Sequence, residues 1–384
     1  MRHAAAIRPV DAADDAAIRH AQHQTLMRAY QARYIVLPPA VVGGSIIAEL
    51  HKRYDPVELA RLEMARPTLE RALIAPQADE ALRASAGADV LTYAEDLLPR
   101  LRAEPENAFI AFLRTTPNRK PHYRDFLLQS SADLLAEASA SAFGVIGAFG
   151  APQSALFRIL IDEFGYGAHD RKHSVLYQAV MRDFGLSDAY GAYAPLFDTV
   201  SLELHNTIHW LFQNPRNVFL QAGFLLFAET AYQRSTADHY RYLREFYPAA
   251  DARYFSEHAH IDLHHTRMVV DDVAAAFVAS YGAEAGAEIV AGAELTRAMF
   301  ARAGDHMLAV NRAFADAVVS GDARYATPMV PDRGAPVITP SAAVHFANRG
   351  ARIQVGGLGE VTVTAFAGFP NGATGLFVDG GAAS

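Results

Sequence analysis

Between Ala40 and about Val319, apolar residues recur every three or four positions and alanine is abundant, with no alternation of strand and helix. That periodicity confines the main body to packed helices, because helical side chains share a face at this spacing and strand side chains do not. Pro67, Pro76, Pro105, Pro152, Pro215, Pro248 and the Thr-Thr-Pro-Asn run at 115–118 supply the breaks between helices. A parallel sheet has no support, no internal repeat is present, and neither GxGxxG nor GxxxxGK[ST] occurs. From Ala326 the character changes. Pro328, Pro331, Pro336 and Pro340 precede strand-like segments at Ala351–Val355 and Glu360–Phe366, with Gly-Gly, Pro-Asn-Gly and Asp-Gly-Gly turns between them. The chain divides into a polar helix or arm over 1–35, an all-α bundle over 36–325, and a β-rich appendage over 326–384. Too short to bury a core alone, the appendage is expected to pack on the bundle or on a partner subunit.

Composition removes whole classes of chemistry. With no cysteine among 384 residues, disulfides, iron–sulfur clusters, thiolate zinc sites and cysteine nucleophiles are excluded, so any metal must be held by His, Asp and Glu. A net charge of −8 gives no electrostatic reason to bind nucleic acid or an anionic membrane. Only Lys52, Lys120 and Lys172 are lysines; the remaining positive charge is arginine. Met1–Asp11 lacks the apolar core of a secretory signal. No apolar run approaches the roughly 20 residues of a membrane span. A cytoplasmic homodimer is expected.

Sixteen histidines are present, most densely in Ser256-Glu-His-Ala-His-Ile-Asp-Leu-His-His-Thr-Arg267. His258, Asp262 and His265 stand at i, i+4 and i+7, within about 60° of one another on one helix face. Two imidazoles and a carboxylate converging there suit iron or manganese, although a solvated polar face has the same pattern. Glu229 follows the apolar run Gly223-Phe-Leu-Leu-Phe-Ala228. Buried, it needs a cation or a proton; at the rim of the stripe it would face water. Glu163 and His173 are ten residues apart, about 80° out of phase on an ideal helix, but Gly165 and Gly167 fall between them and could break it. His169 is the alternative to His173. Glu137 lies on another apolar segment, Ala132-Asp-Leu-Leu-Ala-Glu-Ala138.

The succession of Glu137, Glu163 with His173, Glu229, and the closing His-x3-Asp-x2-His about thirty residues later resembles the heme-oxygenase-like diiron oxidase and oxygenase superfamily. The resemblance covers roughly residues 130–270, and the extra upstream Glu137 is similar to its N-oxygenase branch. It implies a heme-oxygenase-like helical bundle in which Glu137, Glu163, His173, Glu229, His258, Asp262 and His265 hold two Fe(II)/Fe(III) ions. Glu229 or Glu163 would bridge them, and Glu137 would be a mobile ligand. It also implies O2 as co-substrate and a small amine or amino-acid substrate. An external reductant is required, because no flavin or nicotinamide motif is present. The expected reaction is N-oxygenation, with oxidative C–C or C–H cleavage as the alternative.

Three rivals are weighed on their own motifs. A ferritin-like centre needs two Glu-x-x-His motifs, and only Glu257-x-x-His260 occurs. An HD-type phosphohydrolase would use His169-Asp170, and a heme protein would need one axial histidine among His20, His23 and His51. On a further segment with Glu203, His205 and His209 share a face at i, i+4 and could bind metal, but are expected instead to support the site, face substrate or be satisfied core histidines.

Overall fold

The structure, a computed structural model, describes residues 12–37, 45–116, 119–319, 352–355, 359–368 and 374–378. The helices run in chain order as α1 (Ala12–Gln31), α2 (Ile46–Arg53), α3 (Pro56–Leu73), α4 (Ala75–Ala84) and α5 (Val90–Arg102). Next come α6 (Ala108–Thr115), α7 (Arg119–Leu134), α8 (Ser139–Phe143), α9 (Ala151–Glu163) and α10 (His173–Asp183). The last are α11 (Thr199–Gln213), α12 (Val218–Phe246), α13 (Arg253–Met268), α14 (Ala275–Tyr281) and α15 (Ala283–Val319). Several starts are fixed by side chains that satisfy the first free amides. Asp55 accepts from the Glu58 amide at 3.0 Å, Asp89 from Thr92 at 2.8 Å, and Asp198 from Ser201 at 2.6 Å. No helix among the described residues is long and apolar enough to cross a membrane.

The 29-residue α12 is the axis of the bundle and packs most closely on α15 and α13. Two glycines permit this. A Cβ on Gly223 would stand 1.9 Å from the Ile289 carbonyl oxygen, and one on Gly292 would stand 2.1 Å from that of Leu220. The α12 and α15 backbones therefore touch where neither carries a side chain, which no larger residue allows. Every residue from Leu220 to Thr230 is buried, so Glu229 enters an apolar interior.

Two apolar cores result. One gathers α4, α5, α9, α12 and α15; the other gathers α6, α7 and α10. Helix α13 bridges them, sending Tyr254 and Phe255 into the second core and Met268 into the first. Each such anchor contributes about 1.5–3 kcal/mol on burial. Together they fix the α13 face that carries His258, Asp262 and His265 between the cores. A π-helical stretch, Val269–Ala274, follows directly and packs against α9, where Asp272 pairs with Arg158 at 2.5 Å.

Of the two readings for the first segment, a helix is observed over Ala12–Gln31, and it is not merely polar. Leu26, Met27 and Tyr30 are buried, and the Tyr30 hydroxyl donates to Glu70 at 2.8 Å. Strands β1 (Arg352–Val355), β2 (Gly359–Gly368) and β3 (Thr374–Val378) pair antiparallel in that order, with Arg352 opposite Thr362 and Gly368 opposite Thr374. Most of the stretch expected as a β-rich appendage, and its expected packing on the bundle, lies outside the described residues.

Candidate metal centre

Glu163 is the last residue of α9 and His173 the first of α10. The helix breaks between them where the glycines allow it: Gly165 and Gly167 have φ of +63° and +81°, and Tyr166 is also left-handed at +54°. A Cβ on Gly165 would come within 2.5 Å of the Arg171 backbone, so the reversal depends on glycine there. The phase mismatch of a continuous helix disappears, and His173 Nδ1 stands 2.7 Å from Glu163 Oε2. His169 and Asp170 are exposed on the intervening turn. Among the described residues it is His173, not the exposed His169, that joins the donor cluster, and no such cluster includes the His-Asp dipeptide.

Glu137 sits in the turn between α7 and α8, just before Ala138, which is left-handed at φ +64°. The Tyr254 hydroxyl donates to Glu137 Oε1 at 2.7 Å and holds it facing α13. On α13, His258 donates from Nδ1 to the Tyr254 carbonyl at 2.9 Å. That bond leaves Nε2 directed at the cluster, 3.1 Å from His173 Nδ1 and 3.3 Å from Glu137 Oε1. His265 Nδ1 lies 3.2 Å from Glu229 Oε2, 3.6 Å from Glu163 Oε1 and 3.8 Å from Asp262 Oδ1. Its other nitrogen is 3.1 Å from Asp162 Oδ2.

All seven sequence-predicted residues thus meet, in two sets. Glu137, Glu163, His173 and His258 form one; Glu163, Glu229, Asp262 and His265 form the other, and within each the donor atoms lie within 4.8 Å of one another. Separations near 3 Å are those of atoms sharing an ion at about 2.1 Å. Glu163 belongs to both, with Oε2 toward His173 and Oε1 toward His265.

The charges need a partner. The side chains of Glu137 and Glu163 are 11% exposed, and those of Asp262 and His265 are fully buried. Both Asp262 oxygens and Glu137 Oε2 are buried without a hydrogen bond. An unsatisfied buried carboxylate costs several kcal/mol unless a cation or proton meets it. Burial raises Asp262 well above the usual carboxylate range, against the pull of His258. Burial would depress His265, but Glu229, Glu163 and Asp262 outweigh it and hold the ring up at about 10. His258 is likewise held well above its ordinary value, burial being overcome chiefly by Glu137 and Asp262. Burial would raise Glu163, yet His173, His258 and His265 bring it down to about 2. The raised His258 and His265 rings and the raised Asp262 carboxyl all favour a bound proton, which offsets part of the buried negative charge. A divalent cation does the same work and also occupies the orphaned oxygens, so the donor set fits a metal of the iron type.

Asp162 and Tyr254 escaped the sequence reading. Asp162 takes the outer nitrogen of His265, the carboxylate–histidine arrangement that orients a ligating ring. Only its place beside Glu163 could have drawn notice. Other described histidines lie outside the cluster. Burial lowers His205 to about 4 and His209 to about 3, so both are neutral; His205 donates to the Gln129 carbonyl, and His209 pairs with the Tyr34 hydroxyl. Glu203 is tied to Arg19, Gln77 and Arg302. Glu257, His260 and His51 are exposed, and His20 and His23 bond to Thr199 and Asn206. Neither the ferritin-like nor the heme reading gains a site from them.

Helical bundle and donor cluster together define an iron-containing redox enzyme domain of the heme-oxygenase-like class, and residues 124–301 match that family, described as iron-containing redox enzyme. A curated relative is the nitrosourea synthase of Streptomyces achromogenes subsp. streptozoticus, 32% identical over 284 residues, which are 73% of this chain and 59% of that protein.

Proposed function

We propose that the cluster holds two iron ions and that the protein uses them, with O2 and an external reductant, to N-oxygenate a small amine-containing metabolite. The single observation that carries this reading is Glu163, whose two oxygens face two different donor sets. Four carboxylates, those of Glu137, Glu163, Glu229 and Asp262, bring four negative charges, which two divalent cations cancel while the three histidines stay neutral. Ferrous ions there would supply the electrons for reductive activation of O2.

The chain's own residues do the rest. The Tyr254 carbonyl fixes the His258 tautomer, and Asp162 fixes His265. Tyr254 steadies Glu137 through its hydroxyl. A cavity of about 70 Å³ adjoins the centre; Glu137, Glu163, Glu229 and His258 line it together with Leu156, Phe212, Phe224 and Leu225. Its apolar walls limit water around the reacting group. The nitrosourea synthase relative, named for an N-oxidised product, favours nitrogen as the atom attacked.

The test is to load the protein with Fe(II), supply reductant and O2, and screen amines by mass spectrometry. N-oxygenation is expected to add one or more oxygens with the carbon skeleton intact. Chain-shortened or dehydrogenated products would instead establish oxidative C–C or C–H cleavage.

A further inference from the structure

We infer that Tyr123 and His239 form a redox-active pair that drains an oxidising equivalent from the centre when no substrate consumes it. The inference rests on the reading that iron in the donor cluster reacts with O2. Tyr123 is fully buried and His239 is 3% exposed, and neither belongs to the donor cluster. The Tyr123 hydroxyl donates to His239 Nδ1 at 3.2 Å. The imidazole lies between Phe126, with centroids 4.5 Å apart, and Phe255, 5.0 Å away and 9° from parallel. Burial lowers His239 to about 3, so the ring is neutral and Nδ1 can accept. Stability does not call for this phenol and imidazole, since apolar groups of the same shape would fill the space with no polar atom to satisfy.

The pair sits on an unbroken line of rings that runs from the donor cluster toward solvent. Inward, ring centroids are 5.0 Å apart from His239 to Phe255, 5.2 Å from Phe255 to Tyr254, and 4.5 Å from Tyr254 to His258. Outward, Tyr242 is 5.4 Å from Tyr123, and the half-buried Tyr247 is 6.0 Å from Tyr242. Phe184 offers a parallel way, 4.9 Å from Tyr123 and 5.0 Å from Tyr247. Steps of this size let an electron tunnel from ring to ring. A phenol that loses an electron must also lose its proton, and the His239 base stands within hydrogen-bond reach. Tyr123 thus gives one electron to the O2-oxidised centre, by way of Phe255 and Tyr254, and its hydroxyl proton to His239 Nδ1. The centre is reduced by one electron, leaving a neutral phenoxyl radical beside an imidazolium. The external reductant returns the electron through Tyr247 and Tyr242, and His239 returns the proton.

The experiment mixes Fe(II)-loaded protein with O2, without an amine, and freezes it for electron paramagnetic resonance, using ordinary and ring-deuterated tyrosine. The wild type is expected to give a tyrosyl radical whose signal narrows on deuteration. Tyr123→Phe is expected to lose that signal at unchanged iron per chain, and peptide mapping by mass spectrometry to find more oxidation at Tyr254 and His258. His239→Gln keeps a hydrogen-bond acceptor but no base, and is expected to lose the radical as well. Absence of a tyrosyl radical from a wild type whose iron O2 has oxidised would overturn the inference, as would a signal unchanged in Tyr123→Phe. A signal unchanged in His239→Gln would refute the pairing, and equal oxidation at Tyr254 and His258 in wild type and Tyr123→Phe would refute the draining role. Fewer than two irons in the wild type would count against the two-iron reading alone. The metal-free protein, oxidised by flash-generated tris(bipyridine)ruthenium(III), still shows whether a radical lost in Tyr123→Phe settles on this pair.

Discussion

The two donor sets share Glu163 and are otherwise built differently. In the first, Glu137 sits in a turn beside a left-handed alanine, Glu163 ends α9, His173 begins α10, and only His258 lies inside a helix. In the second, Glu229, Asp262 and His265 all project from the interiors of α12 and α13. Helix ends and turns open at lower free energy than helix interiors. The second set is therefore the more rigid one, and on the two-iron proposal an ion in the first would be the more readily lost. If the centre admits O2 and a substrate, as proposed, it profits from one firm position and one adaptable position. The cavity is lined by donors of both sets, Glu137 and His258 from the first, Glu229 from the second and the shared Glu163.

Breaking the shared residue should have the largest effect. Glu163→Ala removes a donor from both sets, and bound iron is expected to fall from two per chain toward zero, measured by elemental analysis. Retention of one tightly held iron would show that the sets are independent. Next in size is Asp262→Asn, which strikes the rigid set alone and should leave about one iron per chain with oxygenation lost; two irons in this variant would remove Asp262 from the ligands. The smallest effect sharpens the comparison. Asp162→Asn leaves every donor in place but releases the outer nitrogen of His265. Affinity for one ion should weaken by about 10–100-fold with the other unchanged, as read by competition with a chelator. Equal weakening of both ions would place the influence of Asp162 on Glu163 rather than on His265.

How much of this was legible in the sequence depends on how local the cause is. His258, Asp262 and His265 lie within two turns of one helix, so spacing alone put them on one face, and they share one. The Glu163–His173 pair depended on whether the chain reverses at Gly165 and Gly167; the glycines marked the place, and the left-handed backbone supplies the reversal. The helical fold followed from apolar periodicity. The contact of Gly223 and Gly292 did not, because a close approach between helices 69 residues apart leaves no periodic trace. Asp162 was hard to read for the same reason: it works through His265, a neighbour on another element that only the assembled bundle brings to it.

The account stands on one carboxylate, that of Glu163, facing two donor sets. Anomalous diffraction at the iron edge from crystals loaded with Fe(II) without oxygen tests it directly. Two peaks are predicted, one among Glu137, Glu163, His173 and His258 and the other among Glu163, Glu229, Asp262 and His265, with the second more fully occupied. A single peak away from Glu163, or iron bound at His205 and His209, would contradict it.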